Sequence, residues 1–248
     1  MNNPIQSANA YHSDSLDCGN LATRKSACVV APLIVEKFTP HSVVDVGCGL
    51  GDWLAEFRRL GCSEVVGYDG EWVPRRNLQI PPPCFRAVDF TKEWEISGKF
   101  DLGICFEVAE HFDEASGERL VRNLSDSARV VVFGAAIPQQ GGYQHVNEQF
   151  QSYWITKFKA HGLLPFDLIR PLIWGNEACD WWYQQNILVF LQETEVRAYQ
   201  LSEAPFIADI VHPKLYDWHR DPQNWGGREM LKLLVRKIAL RTKGVFRK

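Results

Sequence analysis

The segment from residue 43 to residue 54, VVDVGCGLGDWL, constrains the fold more than any other part of the chain. Its first residues are apolar and mostly β-branched, which predicts a buried strand. Gly47, Gly49 and Gly51 follow at alternate positions and predict a tight turn, where the lack of a Cβ lets a ligand approach the backbone. Asp52 is placed to cap the helix that follows. The segment therefore predicts a strand, a glycine turn and a helix that together bind a ligand.

An acid ahead of the glycines indicates which ligand this turn prefers. Asp45 lies two residues before Gly47, which gives acid-x-G-x-G-x-G in place of the G-x-G-x-x-G of dinucleotide sites. Its carboxylate would repel a pyrophosphate and attract an ammonium group. The pattern closely resembles the first motif of class I S-adenosylmethionine-dependent methyltransferases, whose cofactor carries an ammonium and a sulfonium and no phosphate. The resemblance implies that S-adenosylmethionine contacts Asp45, Gly47, Gly49 and Gly51.

Further acids follow the second and third predicted strands, EVVGY and FRAV. The resemblance implies that Asp69, with Gly70 after it, accepts hydrogen bonds from the ribose hydroxyls. It also implies that Asp89 faces the adenine amine and that Phe90 lies beside the adenine ring. An aspartate after a strand is also an ordinary turn former, and for Asp69 and Asp89 this simpler interpretation stays open.

The fourth predicted strand, residues 100–105, is followed by FEVAEHF. That segment resembles the part of the family in which the backbone and an acid lie under the methionine moiety, which implies cofactor-binding roles for Phe106 and Glu107. A fifth strand is predicted at residues 128–133. Five strands with helices between them predict a parallel sheet whose ligand site lies at the carboxyl edge.

The resemblance also implies the complete fold, an α/β, Rossmann-like seven-stranded sheet with helices on both faces and the last strand antiparallel. Residues 1–192 are expected to form the methyltransferase domain with a helical lead-in. Residues 193–248 are expected to form an irregular segment and a basic amphipathic C-terminal helix. The further predicted elements are helices at residues 27–38, 114–124 and 150–161, strands at 163–172 and 186–191, a connection at 175–185, and an irregular stretch at 193–225.

The loop after the fifth strand, residues 137–150, overhangs the acceptor site in this family. Methylation of a hydroxyl requires the loss of its proton, and an imidazole suits that task near neutral pH. His145 is the candidate base, with Glu148 to orient it, and His111 is the competing base. A structural role in packing or capping stays open for each histidine. Two possible ligands at i, i+3 are too few to predict a metal site, and none is predicted.

Four aromatic residues, Trp174, Trp181, Trp182 and Tyr183, lie near the connection between the last two strands. Aromatic faces can hold a sugar or another planar acceptor, but aromatic residues also dominate hydrophobic cores. Both interpretations stay open for Trp181 and Trp182. For Trp174 we expect a place in the core.

The uneven distribution of charge along the sequence indicates which binding partners to expect. Residues 228–248 contain eight Lys or Arg against one Glu, whereas the whole chain has a net charge of −3, so the body ahead of this tail is acidic. An acidic body disfavours nucleic acid as a substrate. The tail places apolar residues on one helical stripe with basic residues beside it. This pattern predicts a basic amphipathic helix that docks on the protein's own domain, with peripheral contact with the inner face of a membrane as the alternative.

Composition points to a cytoplasmic protein. The sequence has no apolar run of the length that spans a bilayer and no secretory signal, and its seven cysteines form no C-x-x-C pair. We therefore expect reduced cysteines and no structural zinc.

Together these features predict an S-adenosylmethionine-dependent methyltransferase that methylates an oxygen of a sugar, glycan or secondary metabolite, as in bacterial glycan biosynthesis. One alternative is an N- or carboxyl-methyltransferase of a small molecule. Others are an NAD-binding Rossmann oxidoreductase, which the early Asp45 disfavours, and a non-catalytic binding module. No motif indicates the acceptor's identity or the oligomeric state.

Overall fold

The structure is a computed structural model that describes residues 20–202, 204–224, 227, 231 and 235. The strands, in chain order, are β1 (Ser42–Val46), β2 (Glu64–Asp69), β3 (Phe85–Ala87), β4 (Phe100–Phe106), β5 (Ala128–Gly134), β6 (Leu163–Phe166) and β7 (Leu188–Gln192). The helices of the described residues are α1 (Asn20–Phe38), α2 (Asp52–Arg59), α3 (Glu114–Ser127), α4 (Gln151–Ala160), α5 (Arg170–Ile173), α6 (Trp181–Asn186), α7 (Glu193–Ala198) and α8 (Pro213–Arg220). Single 3-10 turns lie at Arg75–Asn77, Pro82–Cys84, Ala109–His111 and Pro222–Asn224.

The seven strands pair in the order β3-β2-β1-β4-β5-β7-β6. The first five are parallel to one another, and β7 runs antiparallel to both of its neighbours, β5 and β6. This arrangement confirms the predicted Rossmann-like sheet with its antiparallel last strand.

The strand order reverses direction at β1, which places a crevice at the carboxyl ends of β1 and β4. Asp45 in β1 is paired with Gly67 of β2 on one side and with Ile104 of β4 on the other. Successive connections therefore leave the sheet on opposite faces at this point, and ligands of open α/β sheets bind there.

Two hydrophobic cores cover the two faces of the sheet, because alternate residues of a strand point to opposite sides. Val43 and Ile104 belong to the cluster that includes residues of α1 and α2, whereas Val44 and Cys105 belong to the cluster that includes residues of α3 and α4. Burial on both faces explains why β1 and β4 read as apolar runs.

The prediction of one strand over residues 163–172 is wrong, because β6 ends at Phe166 and α5 follows. The side chain of Arg170 is buried and donates hydrogen bonds to both carboxylate oxygens of Asp167 at 2.9 Å and to the carbonyl oxygen of Ile207 at 3.0 Å. A strand would place residues three apart on opposite faces, so this ion pair requires a turn.

Three other element predictions need correction. The stretch at 193–225 is not irregular throughout, since it contains α7 and α8, and the connection at 175–185 contains most of α6. The leading helix begins at Asn20, seven residues before its predicted start. The predictions depended on a repeat of apolar residues at helical spacing, and these helices are too short or too irregular to show one.

The chain divides into two compact units between Ile210 and Val211, and the sheet belongs to the first. The predicted division at residue 192 stays a prediction. The predicted helix at residues 228–248 lies outside the described residues, apart from single positions. None of the helices in the described ranges is both long and apolar enough to cross a membrane.

Candidate functional site

The glycine turn after β1 adopts a conformation that other residues rarely reach. Gly47, Gly49 and Gly51 have φ angles of 81°, 53° and 84°, all in the left-handed region. A Cβ on Gly47 would lie 2.2 Å from a methyl group of Val108, and a Cβ on Gly51 would lie 3.0 Å from Ile80. A Cβ on Gly49 would meet no atom within 4 Å. Gly49 is therefore the glycine of the motif that borders open space.

Asp69 ties the glycine turn to the end of β2. Its Oδ2 accepts a hydrogen bond from the backbone N–H of Gly49 at 2.7 Å, and its Oδ1 accepts one from the N–H of Gly70 at 2.6 Å. Carboxylate oxygens have further lone pairs, so Asp69 can still accept hydroxyl donors. The two sequence motifs thus meet at the carboxyl edge of the sheet.

Asp45 lies buried beneath this turn. The residue is 2% exposed, and its Oδ2 accepts no hydrogen bond from the described residues. Burial raises the pKa of this carboxyl well above its ordinary range, and the negative charges of Asp69 and Asp52 raise it further. A buried carboxylate oxygen that accepts no hydrogen bond is costly, so this position favours a positively charged ligand group.

Asp45→Asn should raise the free energy of unfolding of the ligand-free protein more at pH 8 than at pH 5. Because the pKa of Asp45 is raised in the folded state, the folded chain binds more protons than the unfolded chain above the ordinary pKa, and stability falls as pH rises through that window. The variant lacks this loss, which amounts to about 1.4 kcal/mol per pH unit within the window. Urea unfolding at both pH values measures the difference. An equal effect at pH 5 and pH 8 would contradict the assignment.

Asp52 does not cap α2 as predicted. Gly51 occupies the N-cap position, Asp52 is the first helical residue, and its carboxylate pairs with Arg24 of α1 at 2.6 Å. The left-handed backbone that the turn requires leaves the cap position to glycine. Asp52 therefore joins two helices, a role that sequence spacing could not indicate.

The residues expected beside the adenine have local roles in the structure. The side chain of Asp89 is half exposed, accepts hydrogen bonds from the N–H and hydroxyl of Thr91, and pairs with Lys92 at 3.0 Å. Phe90 is buried and its ring contacts Trp94 and Phe112. The turn-forming interpretation thus describes the contacts of Asp89, and an adenine contact of either residue stays a prediction.

Glu107 follows β4 in a left-handed conformation, with a φ of 56° that is unusual for a residue with a side chain. Its partly buried carboxylate accepts hydrogen bonds from the side-chain amides of Gln140 at 2.6 Å and Asn186 at 2.8 Å. Burial raises its pKa to about 7. The preceding Phe106 packs its ring on Trp53 in the core, so only its backbone can serve a ligand.

Four residues form what we call the acceptor-side cluster: Glu110, His111, His145 and Glu148. Nδ1 of His145 lies 2.9 Å from Oε1 of Glu148, and the rings of His111 and His145 lie edge to face with centroids 4.9 Å apart. Glu148 also accepts hydrogen bonds from the backbone N–H groups of Gln139 and Gly141, both at 2.7 Å. The structure thus brings together the three residues predicted for acceptor chemistry.

Glu110 is the member of the cluster that sequence reasoning missed. Its side chain is buried, neither of its carboxylate oxygens accepts a hydrogen bond of normal geometry, and Nε2 of His145 lies 3.9 Å from Oε1. Burial, followed by the charge of Glu107, raises its pKa well above the usual range, although the backbone N–H groups of Glu110 and Ala136 offset part of this increase. The only hint of its role in the sequence was its position three residues after Glu107, in the segment FEVAEHF.

The aromatic residues near α6 divide between core and surface. Tyr183 is buried against Trp53, and Trp182 is partly buried against the same core. Trp174 is 42% exposed, so its predicted place in the core is wrong. For Trp181 and Trp182 an acceptor contact stays a prediction.

The family described as "Methyltransferase domain" matches residues 24–168, which is more than half of the chain and includes both the glycine turn and the acceptor-side cluster. The chain belongs to this family. The resemblance to class I S-adenosylmethionine-dependent methyltransferases is thereby confirmed, and S-adenosylmethionine is the cofactor of such a domain. Among curated proteins, no sequence matches this methyltransferase chain significantly.

Solved structures share the fold at low sequence identity. An O-methyltransferase family protein from Burkholderia thailandensis matches with a TM-score of 0.55 at 9% identity, over 76% of this chain and 60% of that one. Magnesium protoporphyrin IX methyltransferase from Synechocystis PCC 6803, with bound S-adenosylhomocysteine, matches with a TM-score of 0.53 at 17% identity, over 78% and 89%. The sugar N-methyltransferase KedS8 from Streptoalloteichus matches with a TM-score of 0.53 at 14% identity, over 68% and 87%. The methyltransferase chain thus spans about 60% of the length of the first of these proteins.

Proposed function

We propose that the protein transfers the methyl group of S-adenosylmethionine to a hydroxyl oxygen of a small molecule or glycan. The observation that carries this proposal is the buried Oδ2 of Asp45, which accepts no hydrogen bond from the described residues and lies four residues before Gly49, the glycine that borders open space. A buried carboxylate at the carboxyl edge of the sheet fits a ligand whose head group is an ammonium. It does not fit a pyrophosphate, which disfavours the NAD alternative.

Residues at or just after the carboxyl ends of four strands, β1 to β4, would hold the cofactor. Asp45 would accept the ammonium, the backbone at Gly49 would allow close approach, and the remaining lone pairs of Asp69 would accept the ribose hydroxyls. Glu107, held by two amides, would lie at the methionine end. Asp89 would be at the adenine end. When bound, S-adenosylmethionine supplies an electrophilic methyl group on a positively charged sulfur.

The transfer requires alignment and the loss of one proton. The hydroxyl oxygen forms a bond to the methyl carbon while the bond from that carbon to sulfur breaks. The electron pair of the broken bond stays on sulfur, which becomes a neutral thioether, and the hydroxyl proton passes by way of the acceptor-side cluster to solvent. Because the donor is already activated, the protein contributes mainly by positioning the two reactants.

The acceptor-side cluster favours oxygen as the nucleophile. A hydroxyl needs help to lose its proton, whereas an amine, thiol or carboxylate is already nucleophilic. The cluster supplies two imidazoles and two carboxylates next to the loop that overhangs the acceptor site. Small acceptors are in keeping with the similar O-methyltransferase and sugar N-methyltransferase structures. A cytoplasmic location and a membrane contact through residues 228–248 stay predictions.

A methyl-transfer screen tests this proposal. The full chain is incubated with S-adenosylmethionine carrying a deuterated methyl group and with panels of sugars, phenols and amines, and products are detected by mass spectrometry. We expect O-methyl products, and we expect none from Gly49→Val protein under the same conditions. Methylation confined to amines or carboxylates would overturn the choice of oxygen. The absence of any transfer by a chain that binds the cofactor would support the binding-module alternative.

A further inference from the structure

Three side chains of the acceptor-side cluster converge from two segments of the chain. Glu110 and His111 belong to the 3-10 turn after β4, and His145 belongs to the loop after β5. One carboxylate oxygen and one nitrogen from each imidazole all lie within 4.8 Å of one another. With metal–ligand bonds of about 2.0–2.2 Å, the ligands of one ion lie roughly 3–4.5 Å apart, so small movements of the three side chains bring these atoms onto one ion.

Glu110 supplies an observation that is independent of this convergence. It is 0% exposed, and neither carboxylate oxygen accepts a hydrogen bond of normal geometry from the described residues. Within the described ranges no lysine or arginine forms an ion pair with it, and Nε2 of His145 lies 3.9 Å from its Oε1. Buried carboxylates are normally paired, hydrogen-bonded or bound to metal. Its side chain therefore has unused ligand capacity at the point where the two imidazoles meet.

The orientation of His145 matches that of a metal ligand. Its Nδ1 is engaged by Glu148 at 2.9 Å, which leaves Nε2, the nitrogen nearer to Glu110, to bind another group. Glu148 is itself fixed by the backbone N–H groups of Gln139 and Gly141. A carboxylate that holds the outer nitrogen of an imidazole is the usual support of a metal-binding histidine, because it sets the ring's orientation and raises its basicity.

We propose that Glu110, His111 and His145 bind a divalent transition-metal cation that activates the acceptor hydroxyl. One carboxylate and two imidazoles suit ions from Mn²⁺ to Zn²⁺, and three protein ligands leave positions for the acceptor oxygen. A hydroxyl bound to such an ion loses its proton to solvent more readily and becomes the nucleophile of the transfer. His145 is then a ligand, and Glu148 is a positioning residue. This inference rests on the proposed function for its role and on the cluster's geometry for the site itself.

Direct metal binding tests the site without reference to activity. The full chain is stripped with EDTA and titrated with Mn²⁺, with the free ion followed by electron paramagnetic resonance and with Zn²⁺ as the competitor. We expect about one Mn²⁺ per chain. Glu110→Gln and His145→Ala should each weaken binding by at least about tenfold, since loss of outer partners alone costs about 10–100-fold. His161→Ala is the matched control, because His161 pairs with Glu118 at 2.8 Å outside the cluster.

Two further measurements separate the possible failures. Thermal melting and calorimetric binding of S-adenosylhomocysteine show that each variant remains folded. If the wild-type chain, after removal of metal with EDTA, binds S-adenosylhomocysteine but no Mn²⁺, the metal proposal is overturned and the proposed function stays intact. A chain that binds Mn²⁺ but not S-adenosylhomocysteine would support the site and overturn the proposed function. Equal Mn²⁺ affinity in wild type, Glu110→Gln and His145→Ala would overturn the ligand assignment.

Discussion

Gly49→Val should abolish the binding of S-adenosylhomocysteine, the demethylated product. The Cβ of this residue would enter space in which the described residues, apart from its two chain neighbours, place no atom within 4 Å, and the N–H of Gly49 donates a hydrogen bond to the carboxylate of Asp69. The proposed function assigns that space to the ligand. Steric exclusion there should cost about 3 kcal/mol or more, which corresponds to binding that is at least about a hundredfold weaker. Isothermal titration calorimetry on the two purified proteins measures the change.

Gly162→Val is the matched control for this experiment. Gly162 also has a left-handed backbone, with a φ of 80° against 53° for Gly49, and its Cβ would likewise meet no atom within 4 Å. Both substitutions therefore incur a similar conformational cost of about 1–2 kcal/mol. Gly47 and Gly51 are poorer choices, because their side chains would collide with the protein itself. Equal loss of binding in the Gly49 and Gly162 variants would show that strain, and not the ligand's position, explains the result.

His145→Ala should lower turnover by about 10²–10⁴-fold, the range expected when a group that promotes proton loss is removed. Its ring contacts Glu148 and His111 of the acceptor-side cluster, and among the described residues none of its hydrogen bonds or ring contacts involves the glycine turn. Affinity for S-adenosylhomocysteine should therefore stay within about twofold of the wild-type value. Single-turnover kinetics with the acceptor found by screening, together with calorimetry, give the two quantities.

His161→Ala serves as the control for the loss of a histidine paired with glutamate, and its turnover should match that of the wild type. His111→Ala should lower turnover as His145→Ala does, because both histidines belong to the same cluster. A mild effect of both replacements would mean that the acceptor needs no help in losing a proton. The acceptor would then be an amine, thiol or carboxylate, and the hydroxyl proposal would be wrong.

The first five strands could be predicted because each is an apolar run that ends in a polar or glycine-rich turn. β4 and β5 each extend one residue beyond the predicted end, to Phe106 and Gly134. The break after β6 could not be predicted from local pattern. It depends on the buried pair of Arg170 with Asp167, which is completed by carbonyl oxygens almost forty residues later in the chain.

In the candidate site, too, some residues could be found from the local sequence, whereas others depend on contacts between residues far apart in the chain. Asp45 and Asp69 could be found because an acid at the end of a buried strand is conspicuous in sequence. Gln140 and Asn186 could not, since amide side chains are ordinary on surfaces and their common partner, Glu107, lies far from both in sequence. Glu110 was overlooked because its burial and lack of hydrogen bonds appear only in three dimensions.

Calorimetric titration of the full chain with S-adenosylhomocysteine and, separately, with NAD tests the central claim most directly. We expect micromolar binding of S-adenosylhomocysteine, equivalent to about −8 kcal/mol, and no comparable binding of NAD. The physical reason is that the buried carboxylate of Asp45 favours an ammonium and disfavours a pyrophosphate. Tighter binding of NAD than of S-adenosylhomocysteine would contradict the account.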